Sequence, residues 1–183
     1  GHTIQTSTDG PASTYQLRVT LAGTASNAYA IFGAGGDIGS SPLVMPAAYQ
    51  AAPPFGANTG GVSPALLPFA PDAAYDSWLS VGVTDGDPGG ALGNIGIDFS
   101  SWTAETGLDV QNGAVYWMDP AAAPSRDEES IVLAQLTVAG DWEAFLSVQG
   151  DMDNGETYRA EGLQFCSSSE CGGGDGGGGG SEF

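Results

Sequence analysis

Chemistry that needs a nucleophile and a base has little to work with in this chain. The single histidine is His2, lysine is absent, and no GxSxG, HExxH, Walker-type or dinucleotide-binding glycine motif occurs. Carboxylates remain. Asp76, Asp98, Asp119 and Glu143 fall on or beside strand-like runs and could pair for acid–base work of the glycosidase kind. Carboxylates at strand edges and turns are equally ordinary solvated surface, so no catalytic residue is assigned and the chain is read as a non-enzyme.

Two acidic turns point to a hard cation instead. Asp85-x-Asp87 and Asp151-x-Asp153-Asn154-Gly155-Glu156 set oxygen ligands at alternate positions around a glycine, as calcium loops do because Ca²⁺ takes six to eight oxygens. Neither run completes a twelve-residue calcium loop, and Asp, Asn and Gly are also what tight turns require. No cofactor is required on this reading, and Ca²⁺ is the ion to consider. Trp78, Trp102, Trp117 and Trp142 form a third group, suited to stacking on sugar rings if they lie exposed on a flat sheet, or to the core if they do not.

The elements that would position these residues are strands. Ile131 to Val138 is apolar on both faces, as expected of a central strand covered on both sides. After Gly140-Asp141, the residues Trp142, Ala144, Leu146 and Val148 share one face of the next strand. Asn154-Gly155, a pair favoured where both turn residues need positive φ, leads into a strand over 157–165, so 131–165 is expected to form three consecutive antiparallel strands. Tyr15 to Ala22 alternates as a half-buried strand, with 28–32 as its expected hairpin partner. Further strands are predicted over 75–83, 95–99 and 114–118.

Between them, 33–74 holds Pro42, Pro46, Pro53, Pro54, Pro64, Pro68 and Pro71, which forbids long helices and central strands. With Leu43, Val44, Met45, Tyr49, Phe55, Leu66, Leu67 and Phe69, this stretch is expected to pack over the sheet as a long Pro-rich lid loop, with one helical turn at 46–52. The predicted fold is therefore all-β, a two-sheet antiparallel sandwich or jelly roll of about 8–9 strands. The domain occupies 14–165. It is preceded by an N-terminal extension, 1–13, and followed by a Gly-rich tail, 166–183, which would need a neighbouring chain to hold it in order.

Charge narrows the partners. Against 22 Asp and Glu stand three arginines, for a net charge of −19. Phosphate backbones and anionic membrane surfaces are thereby excluded as partners; divalent cations become plausible ones, although so acidic a surface also simply keeps a protein soluble and hydrated. No apolar run is long enough for a membrane-spanning helix, so no membrane insertion is expected. Cys166 and Cys171, with no histidine near them, are expected to form a local disulfide pinning the tail, worth about 2 kcal/mol for so short a loop. That bond and a start at Gly1 rather than Met point to an extracellular or cell-surface location. No Asn-x-Ser/Thr sequon occurs, so any glycan would be O-linked.

The blocks YDSWLSVGV (75–83), GIDFSSWT (96–103) and NGAVYWMDP (112–120), with the closing hairpin, resemble uncharacterised secreted, surface-associated β-sandwich domains of aquatic microbes and algae. The overall design, an all-β domain with a strand-competent N-terminal extension, resembles pilin-like and surface-fibre subunits. That resemblance implies a structural subunit of an extracellular filament or matrix, with copies of itself as partner. Assembly would run through its termini and edge strands, with Thr3, Ile4, Gln5 and Thr6 in the donor segment. The alternative is a calcium-assisted carbohydrate-binding module with glycans as partners.

Overall fold

The computed structural model describes residues 2–7, 12–35 and 40–167, and of 2–7 the backbone. The chain is all-β, with no α-helix among these residues. Its strands are β1 (His2–Ser7), β2 (Ser13–Val19), β3 (Ala30–Ala34), β4 (Leu43–Met45), β5 (Trp78–Leu79), β6 (Leu92–Ile95), β7 (Leu108–Val110), β8 (Asn112–Trp117), β9 (Ile131–Val138), β10 (Glu143–Asp151) and β11 (Thr157–Cys166). They form two antiparallel sheets. One has the order β1-β2-β9-β5; the other runs β6-β8-β3-β10-β4-β7, with β11 on the second edge of β10. The two share one core, to which Leu17, Leu79, Ala134 and Leu136 contribute from the first sheet and Ile31, Val115, Leu146 and Val148 from the second.

All eight residues of β9 are buried, as their two-faced apolarity requires. Its polar members are paired rather than stranded. Gln135 Nε2 donates to the carbonyls of Ala74 (3.0 Å) and Asp76 (2.8 Å), and the Thr137 hydroxyl meets that of Thr14 at 2.8 Å. Ala144, Leu146 and Val148 of β10, and Trp142 just before it, are all buried, as alternation assigns them.

Several expectations need correcting. Residues 131–165 are not one three-stranded run, because β9 and β10 belong to different sheets and Ala139–Trp142 carries the chain between them. Likewise β2 and β3 are not hairpin partners: β2 pairs with β9, and β3 with β8 and β10. In the hairpin that does form, β10–β11, Gly155 adopts positive φ (80°) while Asn154 does not, and Gly155 N–H closes the turn on Met152 O at 2.9 Å. The strands number eleven rather than 8–9, partly because β4 and β7, three residues each, lie in stretches expected to be loop. The 75–83 strand contracts to Trp78–Leu79 behind a 3-10 turn at Pro71–Tyr75, and the 95–99 strand shifts back to Leu92–Ile95.

No helical turn forms at 46–52. The Pro-rich stretch instead threads into the sheets. Ser41 exchanges backbone hydrogen bonds with Ala34, β4 lies between β10 and β7, and Tyr49 N–H reaches Thr137 O on β9 at 2.8 Å. Leu43, Met45 and Ala48 are core residues, whereas Phe69 stands 79% exposed.

Candidate functional site

Three of the four tryptophans proposed for sugar stacking are in the interior. Trp78, Trp102 and Trp142 are 3–4% exposed; Trp102 Nε1 donates to Pro46 O at 2.8 Å, and Trp142 packs edge-on against Tyr15 with ring centroids 5.0 Å apart. They form no flat platform, because burying so large an apolar ring outweighs leaving it in water. Trp117 alone is partly exposed.

The five proposed calcium ligands are also dispersed, and no group of three or more His, Cys, Asp or Glu among the described residues is arranged to hold a metal. Asp87 sits at positive φ (50°), with its carboxylate accepting from the N–H of Ala91 (2.7 Å) and Leu92 (2.9 Å), so it closes the turn into β6. Asp153 pairs with Arg126 at 2.7 Å on the surface, where solvent screens the bridge. Glu156 accepts from the Asn154 side chain, and Asp151 from that of Asn27. The carboxylates considered for acid–base work are equally local. Asp98 and Asp119 cap the 3-10 turns Phe99–Ser101 and Pro120–Ala122, and Glu143 is exposed on β10.

Asp76 is the exception in burial, at 1% exposed. Its two oxygens accept from Ala51 N–H (2.7 Å) and Ala57 N–H (2.6 Å), tying the Pro53-Pro54 loop to the entrance of β5. Burial pushes its carboxyl above the usual value, against the backbone donors of Ala51, Ala57 and Ser77 that pull it down. A carboxylate so fully occupied is a structural clamp.

What the fold does bring together is Trp117 and Asp85. They line a cleft of about 360 Å³ with Gly82, Val83, Thr84, Ala122, Pro124 and Glu128, where the loop after β5, the end of β8 and the β8–β9 connection converge. Trp117 Nε1 donates to Val81 O at 2.7 Å, and Gly82 N–H donates to Val132 O at 2.8 Å, fixing one wall to β9. Gly82 has φ 83°, and a Cβ there would strike the Pro124 ring, so glycine is required for that wall to close. Glu128 and Thr84 were not singled out from sequence. The acidic run Asp127-Glu128-Glu129 beside Pro124 was the available signal.

At the other end of the sandwich, Cys166 closes β11 and is buried; no described cysteine is free. Its expected partner, Cys171, lies outside the described residues, as do Thr8–Pro11 and the tail from Ser168. The intact protein should weigh two hydrogens less than the dithiol form; labelling of both thiols after denaturation without reductant would refute the bond.

The segment carrying Thr3, Ile4, Gln5 and Thr6 is β1. It lies antiparallel on β2, in the register His2↔Val19 to Ser7↔Thr14, at the edge of the four-stranded sheet. Comparison with family models, with curated proteins and with solved structures returns no match.

Proposed function

We propose that the protein is a structural subunit of an extracellular filament or matrix, assembling with copies of itself by strand addition at its N-terminal edge. The observation that carries this reading is β1. It pairs with β2 alone among the described strands, so its second backbone edge faces outward along six residues. Edge strands of proteins that stay apart are normally guarded by Lys, Pro, inward charge or bulges. HTIQTS contains no Lys, Pro or carboxylate, and its pairing with β2 is regular throughout.

A strand held by backbone bonds at a sheet edge can be supplied by another copy at little cost, because the same register is satisfied in trans. When each copy donates forward and receives from behind, the contact is heterologous and propagates as a fibre rather than closing. The net charge of −19 would oppose side-by-side bundling and leave single filaments, with salt or divalent cations promoting lateral association.

The test uses the Gln5↔Gln16 pair. Chains carrying Gln5→Cys alone and Gln16→Cys alone, mixed and oxidised, are expected to cross-link to each other, and removal of residues 1–11 should abolish fibres seen by negative-stain microscopy. Cross-linking confined to the doubly substituted chain, with the protein monomeric at high concentration, would overturn the reading.

A further inference from the structure

We infer that the Trp117 cleft is a binding site for a small organic cation of the alkylammonium class, independent of assembly through β1. The argument starts from two carboxylates without partners. Asp85 and Glu128 line the cleft, yet neither side chain accepts a hydrogen bond or forms an ion pair among the described residues. Elsewhere, Asp76, Asp87, Asp98 and Asp119 are occupied by backbone N–H groups and Asp153 by Arg126, and carboxylates that are also unpartnered among the described residues, such as Glu129 and Glu161, do not line this cleft. The nearest arginine in sequence, Arg126, is turned away to Asp153 and the Gly23 carbonyl.

The third wall is an indole. Trp117 is pinned by its N–H to Val81 O, so the ring is already oriented before a ligand arrives. A fixed aromatic beside two free carboxylates is the combination that recognises an ammonium: the ring quadrupole and the anions both attract the cation, while the alkyl part meets apolar surface. Val83, Ala122 and Pro124 supply that surface, and Thr84 lines the cleft with them. The size agrees. About 360 Å³ is at the small-ligand end of binding pockets and far larger than a bare ion needs. Ca²⁺ would also find two carboxylates too few among the oxygens it requires. A chain of net charge −19 raises the local concentration of any cation, so association should be fast and should weaken with salt.

The probe is n-butylammonium, followed through the indole N–H resonance of Trp117 in ¹H–¹⁵N spectra, with Trp117→Phe used for its assignment. The expected result is a saturable shift that n-butanol does not reproduce and that weakens as salt is added. Asp85→Asn/Glu128→Gln, two exposed and unpartnered positions whose replacement should leave the melting temperature unchanged, is expected to weaken binding roughly tenfold. The inference fails if n-butylammonium leaves Trp117 unmoved, if n-butanol shifts it equally, or if the double variant binds as the wild type does. It fails also if CaCl₂ alone, or a neutral methyl glycoside alone, produces the shift, since the cleft would then be a metal or sugar site. Loss of fibres without loss of this shift, or the reverse, separates the cleft from the assembly edge.

Discussion

Asp76→Ala is expected to destabilise the protein by about 3 kcal/mol, because it strands two backbone donors that nothing else in the loop can satisfy. For a chain of this length that is a fall of roughly 6–12 °C in Tm, measurable by calorimetry. The N–H groups of Ala51 and Ala57 both point at this one carboxylate. Asp76→Asn should be intermediate, since an amide offers one acceptor oxygen and turns its own N–H₂ toward the second donor. The pH dependence has a definite sign. The folded carboxyl titrates above its unfolded value, so folded protein takes up the proton first, and the contribution of Asp76 to stability grows as pH falls through the folded value and is lost as pH rises through it. Between about pH 7 and about pH 4 the Tm of the wild type should therefore gain on that of Asp76→Asn. A gap that narrows on acidification would show that hydrogen bonding, not burial, dominates at this carboxyl.

Gly33→Ala should cost about 2–3 kcal/mol, roughly 5–10 °C in Tm, by overpacking rather than by strained dihedrals. β3 and β4 lie end to end along one edge of β10, β3 pairing with Ser147–Gln149 and β4 with Phe145. Where they meet, a Cβ on Gly33 would collide with the Val110 carbonyl oxygen and the Leu43 nitrogen, both backbone atoms that cannot rotate away. Gly89→Ala is the matched control, since a Cβ there meets nothing within 4 Å. Equal melting temperatures for the two variants would refute the close approach.

Gly33 also marks the boundary of what the sequence discloses. Alternation along 143–149 and the apolarity of 131–138 identify β10 and β9, because burial of a face is written in every second residue. Nothing in that alternation names a strand's neighbours. The pairing of β2 with β9, and the passage between sheets at Ala139–Trp142, are consequences of the whole core, so 15–32 and 131–149 looked like hairpins. β4, β5 and β7 are too short to show a period, and β4, though paired on both sides, is a three-residue segment that falls between Pro42 and Pro46, where proline argues against an interior strand. For the site, Trp117 and Asp85 were legible as residue types, but 32 positions separate them (117 minus 85) and only the fold sets them on one cleft. Trp78, Trp102 and Trp142 were indistinguishable from Trp117 until their burial was known. Asp76 looked like any surface carboxylate because the loop that encloses it is held by backbone atoms, which carry no sequence signature.

The pairing of β2 with β9 fixes when the protein can fold. Gln16 and Gln135 touch across 119 intervening steps of chain, and Asn27 and Tyr158 across 131. Neither sheet can be assembled from the first half of the polypeptide alone, since β2 waits for β9 and β3 waits for β8 and β10. Closing loops of that length before any contact rewards the lost entropy makes folding slow, on the order of milliseconds to seconds. During synthesis neither sheet can therefore close until nearly all of the chain has been made.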